Sequence, residues 1–204
     1  NPFQKSIRLI EDTLLGQGLD QINSYTLVSK AKTEGLNALA EPIKLALPMS
    51  DIRTHLRTHM FPSLMEVAAY NNAHKNKDFL FFEHSALYSE TLTTNRLAII
   101  GSGQLVQNNW TQTQINVDFF TVKGIFLNLM DKMGYAATRF EFATEGLEDS
   151  YLHPYKSAQI LINRKPIGYI GHVHPTVCDD NDLKDAVYLE IDLDIILALK
   201  AGKV

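Results

Sequence analysis

A helical pattern followed directly by an aromatic strand pattern, within residues 56–88, constrains the fold of this chain more than any other stretch. Four apolar residues recur at the spacing of one helical face: Phe61, Leu64, Met65 and Ala68. Pro62 suits the first turn of a helix, where its missing N–H would have no partner anyway. After a polar run, residues 79–82 form an apolar aromatic segment of the length of a buried strand. The stretch therefore predicts a helix, a short loop and a central strand.

The remaining patterns mix two further long helices with many short strands. Helical spacing predicts one helix over residues 3–14 and another that begins after Asp118 and ends at Gly134. Strands are predicted over 21–28, 43–47, 92–100, 138–143, 158–162, 167–173 and 186–193, with a final helix after them. A short connection at 163–166 is typical of a hairpin, and the Gln- and Asn-rich residues 108–116 are expected to form an exposed loop. The pattern predicts an α+β fold, a mainly antiparallel sheet flanked by helices, as one domain over residues 1–204.

Composition and net charge argue against several classes of function. The 204 residues carry a formal net charge of −4, so no global charge attracts nucleic acid or an anionic membrane. Cys178 is the single cysteine, which excludes an internal disulfide and suits a reducing cytosol. No apolar run approaches the roughly 20 residues that span a bilayer. Because the first residue is Asn1 rather than methionine, we expect the chain to be a fragment of a longer one.

One candidate metal site is visible near the end of the chain. His172 and His174 are two apart and would share a face on a strand, with Cys178, Asp179 and Asp180 close behind. A structural zinc site needs four ligands at a recognisable spacing, and this set does not provide it. Two histidines at the end of a strand are therefore the favoured interpretation, and no metal ligand is predicted.

Other polar groups leave their interpretations open. Gly101-Ser-Gly103 lacks the remaining glycine and the helix of a phosphate loop, so a tight turn is favoured. Glu83 and His84 follow a hydrophobic strand and are expected to point either into a cleft or a partner, or into solvent at the end of the strand. Four basic residues precede the predicted helix, where they could hold phosphate or RNA or form a subunit contact: Arg53, His55, Arg57 and His59. Taken alone, these residues do not assemble a catalytic constellation.

Six short segments, spread over nearly the whole chain, carry recognisable combinations of residues. They are Gly18–Ser29, Pro48-Met-Ser50 with Leu56-Arg-Thr58, Phe82-Glu83, Val117–Gly124, Leu152-His-Pro154 with Ser157-Ala158, and Ile167–Pro175. In this order they resemble the beta subunit of bacterial phenylalanyl-tRNA synthetase, in the region of that chain that looks like a class II synthetase catalytic core. Leu47 and His84 depart from the pattern, since the family usually has asparagine at the first position and an apolar residue at the second.

The resemblance implies a sheet of about six antiparallel strands and a place in an alpha–beta heterotetramer. The parent enzyme joins phenylalanine to its tRNA through an adenylate, using ATP and magnesium, and its alpha subunit carries the active site. A class II site needs one arginine after its central strand and a second in a glycine-rich strand and helix near the end. Residues 79–88 contain no arginine, and residues 187–197 contain neither glycine nor arginine. The region is thus expected to be the inactive counterpart of the alpha subunit.

These inferences predict a non-catalytic structural domain that packs against the alpha subunit. The predicted subunit contacts are Tyr25, Arg57, Phe82, Glu83 and His153. No catalytic, cofactor or metal residue is assigned to the fragment, tRNA is expected to bind through the parent complex, no membrane is expected, and the location is expected to be cytoplasmic. Two alternatives stay open: a tRNA-binding module that uses Arg53 and Arg57, and an independent metal-dependent hydrolase that uses His172 and His174.

Overall fold

The structure is a computed structural model that describes residues 1–108, 110, 111, 113–145, 147 and 151–199. The helices in this part of the chain are α1 (Pro2–Gly16), α2 (Phe61–Ala73), α3 (Phe119–Lys132), α4 (Pro175–Asp179) and α5 (Leu193–Ala198), with short 3₁₀ turns at Lys30–Thr33 and Ala137–Arg139. The strands are β1 (Asp20–Gln21), β2 (Leu27–Val28), β3 (His55–Leu56), β4 (Phe79–Tyr88), β5 (Thr93–Ser102), β6 (Gln104–Asn108), β7 (Thr113–Asn116), β8 (Phe140–Ala143), β9 (Leu152–Ile162), β10 (Lys165–Val173) and β11 (Val187–Asp192).

A seven-stranded sheet forms the centre of the molecule, in the order β1-β4-β5-β11-β10-β9-β8. Every neighbouring pair in it is antiparallel except β1 and β4, which run parallel. The predicted α+β class with a mainly antiparallel sheet is therefore confirmed. The sheet has one strand more than the six or so that the resemblance implied, because two residues of β1 extend it beyond β4.

The sheet divides the core into two clusters of buried side chains. Helices α1, α3 and α5 pack on one side, which we call the three-helix face, against residues such as Leu97 and Ile99 of β5. Helix α2 covers the other side, the α2 face, against Ala98 and Ile100 of the same strand. Because successive side chains of a strand point to opposite faces, the alternation within β5 supplies both clusters.

Helix α3 forms as its sequence predicts. The Asp118 side chain accepts a hydrogen bond from the Thr121 N–H at 2.7 Å and so satisfies one of the free donors of the first turn. Val122, Phe126 and Leu129 recur at helical spacing and are buried against the sheet. Cap and apolar stripe are local features, which is why the prediction of this helix from the sequence is confirmed.

Three local predictions are wrong. Residues 21–28 do not form one strand, because β1 pairs with β4 while β2 pairs with β3 in a separate small sheet. Residues 43–47 form no strand, and Lys44 makes only an isolated bridge to His55. Residues 108–116 are not a loop throughout, since they contribute to a hairpin of β6 and β7 in which Val106 faces Ile115. The hairpin was not predicted because its strands are mostly polar and show no apolar alternation. The pairing of residues 21–28 and 43–47 depends on partners distant in the chain, which the local pattern does not show.

The turn predicted at Gly101-Ser-Gly103 lies at its last residue. Strand β5 continues through Ser102, and Gly103 then adopts a φ of 76°, which favours glycine. The Gln104 N–H donates to the Asp78 carboxylate at 2.8 Å and fixes the start of β6. In the described residues, no helix has the length and apolar character needed to cross a membrane.

Candidate functional site

A buried carboxylate, Glu190 of β11, is the centre of a polar network on the α2 face. Its Oε2 accepts hydrogen bonds from the Tyr188 hydroxyl at 2.7 Å, the Tyr169 hydroxyl at 3.1 Å and the Met60 N–H at 3.2 Å. Its Oε1 lies 3.4 Å from Nη1 of Arg96. Since Glu190 has no exposed surface, these donors replace the water that an ionised carboxylate would otherwise need.

Strand register brings these side chains together. Tyr188 and Glu190 are two residues apart on β11 and therefore share the α2 face. Tyr169 of β10 lies directly opposite Glu190. Arg96 of β5 lies opposite Asp192, and its Nε is 3.5 Å from the Asp192 carboxylate. Three neighbouring strands thus supply the carboxylate, its three phenol or guanidinium donors and a second acid.

Aromatic rings extend and seal the network. The Tyr151 hydroxyl lies 2.7 Å from the Tyr169 hydroxyl and 3.3 Å from Nδ1 of His59. The Phe61 ring stacks on Tyr151 with centroids 3.6 Å apart and meets the edge of Tyr188 at 5.0 Å. Ring contacts of this kind bury large areas, so this part of the α2 face is filled by the chain's own side chains.

Burial and charge set the protonation of the network. Burial, and then the negative charge of Glu190, raise the pKa of Tyr151, Tyr169 and Tyr188 well above the usual value of a phenol. Burial lowers the pKa of His59, although the nearby Glu190 partly opposes this. The phenols therefore remain neutral hydrogen-bond donors at physiological pH, and the imidazole is held in its neutral form.

A second buried ion pair closes the edge of the sheet. The guanidinium of Arg57 donates from Nη2 to the Glu83 carboxylate at 2.8 Å and from Nη1 to the Ser24 hydroxyl at 2.7 Å. The Ser24 hydroxyl in turn donates to Glu83. Both charged side chains are buried within the chain, and Arg57 ranks among its largest fully buried residues. The three residues connect the segment after β1 with β4 and with the segment that leads into α2.

Comparison with known proteins identifies the family. The family model described as the phenylalanyl tRNA synthetase beta chain CLM domain matches residues 1–193. The phenylalanine–tRNA ligase beta subunit of Staphylococcus aureus is 34% identical over 206 residues, and that of its strain MRSA252 is 35% identical over 209 residues. The chain belongs to the phenylalanyl-tRNA synthetase beta-chain family. Each alignment covers 98% of this chain but 25% of the relative, so the chain spans about a quarter of the length of these beta subunits.

Solved structures share the fold at low sequence identity. Two structures of pyrrolysyl-tRNA synthetase from Desulfitobacterium hafniense align with TM-scores of 0.68 and 0.69 at 12% and 13% identity. The alignments cover 96% and 95% of this chain and 67% of each synthetase chain. The beta-chain domain therefore has the fold of a class II synthetase catalytic domain, as the sequence predicts.

The side chains present do not fit a site for ATP and magnesium on the α2 face. β4 has no arginine and the β11–α5 segment has neither glycine nor arginine, although the resemblance places the phosphate-binding arginines there. The guanidinium groups that do lie on this face, Arg57 and Arg96, are engaged by carboxylates of the same chain. Within the described residues, no group of three or more histidine, cysteine, aspartate or glutamate side chains is arranged to hold a metal ion.

The predicted subunit contacts of the beta-chain domain fall into two groups. Arg57, Phe82 and Glu83 are buried inside the chain, so in this conformation their side chains can only support a contact surface from beneath. Tyr25 is 71% exposed, and its ring lies under the Arg53 guanidinium at 4.7 Å. His153 is partly exposed and accepts a hydrogen bond from the Tyr155 N–H. For Tyr25 and His153, the role of subunit contact stays a prediction.

The basic residues ahead of α2 do not form one cationic cluster. Arg53 pairs with Glu66 in a two-bonded contact and also donates to the Leu27 carbonyl. His55 is buried, and its Nδ1 lies 2.8 Å from the Thr54 hydroxyl. Since Arg57 is paired with Glu83 and His59 belongs to the Glu190 network, none of these groups offers a free positive charge to RNA.

The histidines near the end of the chain are directed to different partners. Nδ1 of His172 lies 3.1 Å from the Asp185 carboxylate, whereas Nδ1 of His174 accepts from the Thr176 N–H and caps α4. Strand β10 ends at Val173, so His174 lies beyond the strand whose alternation a shared site would need. Cys178 is buried, and burial, with the Asp185 charge, raises the pKa of its thiol to about 11. The arrangement gives no support to a hydrolase that uses these histidines.

Reasoning from the sequence missed the centre of the network. Glu190, Arg96, Tyr169 and Tyr188 received no role, although Tyr-Leu-Glu-Ile within an otherwise apolar strand was a usable signal. A glutamate at an inward position of a buried strand is rare unless it is paired. The partners themselves come from other strands and could not be found from this segment alone.

Proposed function

We propose that the domain is a non-catalytic structural part of the beta subunit of phenylalanine–tRNA ligase and that it packs against the catalytic alpha subunit. The observation that supports this most strongly is Glu190, which is fully buried and hydrogen-bonded to the chain's own donors, so that its carboxylate is not open to a substrate. A substrate could enter this face only by displacing Tyr151, Tyr169 or Phe61, each of which is held by ring or hydroxyl contacts.

In this proposal the domain is a rigid platform. Phenylalanine, ATP and magnesium act at the alpha subunit, and the two kinds of chain assemble as a heterotetramer in the cytoplasm, with tRNA bound through the complex. Hydrogen bonds and ion pairs in the buried interior are strong and hold the groups that make them in one arrangement, although Nε of Arg57, Nε of Arg96 and Nε2 of His59 make no hydrogen bond within the described part of the chain. The Glu190 network and the Arg57–Glu83 pair would keep the α2 face from changing shape when the partner binds.

One exposed apolar surface suits a protein contact. Leu47, Met49 and Ile52 are exposed in the segment that precedes β3. The next residue, Arg53, has its guanidinium 4.7 Å from the centroid of the Tyr25 ring, so the segment lies beside Tyr25. We call these four apolar residues the Tyr25 patch: Tyr25, Leu47, Met49 and Ile52. Large exposed apolar patches are rare on monomeric proteins and often mark sites of protein contact. In our proposal the Tyr25 patch contacts the alpha subunit, in agreement with the role that the sequence predicts for Tyr25.

Light scattering on a sizing column tests this proposal. The full-length beta subunit would be mixed with the alpha subunit, and the mass of the complex would be compared for the unchanged protein and for a Tyr25→Ala, Ile52→Ser variant. We expect the variant to weaken the complex at least about tenfold, as the loss of interface anchors does. Tyr155→Ala is the matched control, because Tyr155 is also a largely exposed tyrosine and lies outside the patch.

Two results would contradict this proposal. If both variants form the complex as tightly as the unchanged protein, the Tyr25 patch is not the contact. If the beta subunit alone catalysed phenylalanine-dependent exchange of pyrophosphate into ATP, the non-catalytic assignment would be wrong.

A further inference from the structure

A pocket of about 480 Å³ lies on the three-helix face, at the first turn of α3 and against strands β8 to β10. We call it the α3 pocket. Its lining includes the buried Ala158, the partly buried Phe119, Phe142 and His172, and two large exposed rings. The volume lies within the range of about 300 to 1,000 Å³ that is typical of small-ligand sites. The pocket is on the opposite side of the sheet from the Glu190 network.

The two exposed rings belong to Phe120 and Tyr155, which are 76% and 91% exposed. They come from α3 and β9, elements that are separate in the chain but meet at this opening. Aromatic rings that leave this much surface in water at one pocket offer flat faces on which a planar group can stack. The lining therefore favours a ligand that contains an aromatic ring.

The α3 pocket offers one ammonium to an anion, that of Lys156, and the Asp118 carboxylate also lines the pocket. Lys156 lines it, and the Lys123 ammonium lies 4.1 Å from the centroid of the Phe142 ring. In the part of the chain that the structure describes, neither ammonium has a carboxylate within ion-pair distance. The acids nearby already have partners: Asp118 caps α3, and Asp185 accepts from His172.

The Asp185 carboxyl is held in its charged form. Burial alone would raise its pKa, but the hydrogen bond and charge of His172, with a contribution from Lys156, lower it overall. Lys156 attracts the Asp185 carboxylate without forming an ion pair with it, so the hydrogen-bond donors of the Lys156 ammonium remain available to a ligand in the pocket.

We propose that the α3 pocket binds one nucleotide of a single-stranded RNA. The base stacks on Phe120 or Tyr155, and the phosphate lies against Lys156. A protein segment fits this lining less well, because lysine is depleted in the cores of protein interfaces, whereas lysines beside exposed rings are typical of sites for single-stranded nucleic acid. This proposal goes beyond the structural role proposed above and uses none of the Tyr25 patch.

Photo-cross-linking locates the site within the full-length protein. The probes are 8-azido-AMP and 8-azidoadenosine, which share the base and differ in the phosphate, and a short single-stranded oligoadenylate serves as competitor. We expect the cross-linked peptide, identified by mass spectrometry, to contain Phe120 or Tyr155. We also expect the oligoadenylate to displace the AMP probe more effectively than AMP does.

Two variants separate stacking from charge. Lys156→Ala should weaken the AMP probe about tenfold and leave the adenosine probe unchanged, because it removes a charge-assisted hydrogen bond to phosphate. Tyr155→Ala should weaken both probes about tenfold through lost stacking. Lys132→Ala, at the far end of α3, and Tyr70→Ala, an exposed ring on α2, are the matched controls and should change neither.

Each other outcome overturns the proposal. Labelling elsewhere in the protein, or no labelling, removes the site. Labelling by AMP that oligoadenylate does not displace reassigns the pocket to a free nucleotide. Stronger displacement by an acidic peptide that contains phenylalanine reassigns it to a protein partner. Complex formation between Lys156→Ala and the alpha subunit, measured separately, distinguishes all of these results from a failure of the structural role.

Discussion

Two glutamates of this beta-chain domain, Glu83 and Glu190, are buried together with polar partners. Glu83 is balanced by one arginine and one serine, and Glu190 by two tyrosines, a backbone N–H and a more distant arginine. The burial of such a charge is compensated while its partners are in place. Removal of one partner leaves an uncompensated charge in the interior, which destabilises the fold. The side chains with the largest effect on stability should therefore be polar rather than apolar.

Glu190→Gln tests this at the centre of the network. The amide keeps the size of the side chain but removes the negative charge that Arg96 faces. Its NH₂ group also donates hydrogen bonds, whereas the groups around it, such as the Tyr188 and Tyr169 hydroxyls, are donors themselves. We expect the free energy of unfolding to fall by about 3 to 5 kcal/mol, measured by urea denaturation. Glu66→Gln is the control, since its half-exposed pair with Arg53 should contribute less than about 1 kcal/mol. Equal, small losses for both variants would contradict a stabilising network.

At the scale of elements, close backbone packing of β10 against β11 positions the network. A Cβ atom added to Gly168 would lie 2.0 Å from the Glu190 carbonyl oxygen, far inside any real contact. Glycine at this position therefore permits the register that places Tyr169 opposite Glu190. The register of these two strands depends on a missing side chain as well as on those that are present.

Paired glycine-to-alanine substitutions measure this dependence. Gly168→Ala should lower the free energy of unfolding by about 3 kcal/mol or more, because the backbone of β11 must move. Gly124→Ala, inside α3 with open space around it, should instead raise the free energy of unfolding by roughly 0.5 to 1 kcal/mol. The measurement is thermal and urea unfolding of both variants. A stable Gly168→Ala protein would show that the two strands can shift without cost.

At the scale of the whole molecule, the three network tyrosines should ionise only when the domain opens. Their pKa values are raised in the folded state, so their contribution to stability is complete below about pH 10, the unfolded value, and decreases as the pH rises further. Each phenol should lower the free energy of unfolding by about 1.4 kcal/mol per pH unit in that range.

An alkaline titration checks this expectation. Tyrosinate absorbance and circular dichroism would be followed together, and we expect the ionisation of Tyr151, Tyr169 and Tyr188 to coincide with the loss of secondary structure. Tyr151→Phe should make the decrease of stability with pH less steep by the contribution of one phenol. Ionisation of all eight tyrosines of the chain before any structural change would contradict the burial of the network.

The amino-acid sequence determined the features of this protein that depend on neighbouring residues. The cap and stripe of α3, the unit of α2 followed by β4, and the last strand, β11, could be predicted from the spacing of residues, because hydrogen bonds within a helix and the pleat of a strand are local. The same residues carried the resemblance to the family, which the comparisons confirm. The absence of arginine from β4 was equally a fact of the sequence.

Only the tertiary structure decided which side chains meet. Alternation places Glu190 on one face of β11, but the register with β5 and β10 determines that Arg96 and Tyr169 reach it. The pairing of Arg57 with Glu83 joins residues that are 26 apart, so the sequence could suggest a surface role for both while the fold buries them. The physical reason is that a strand fixes the direction of its own side chains, whereas their partners depend on contacts between segments distant in the chain.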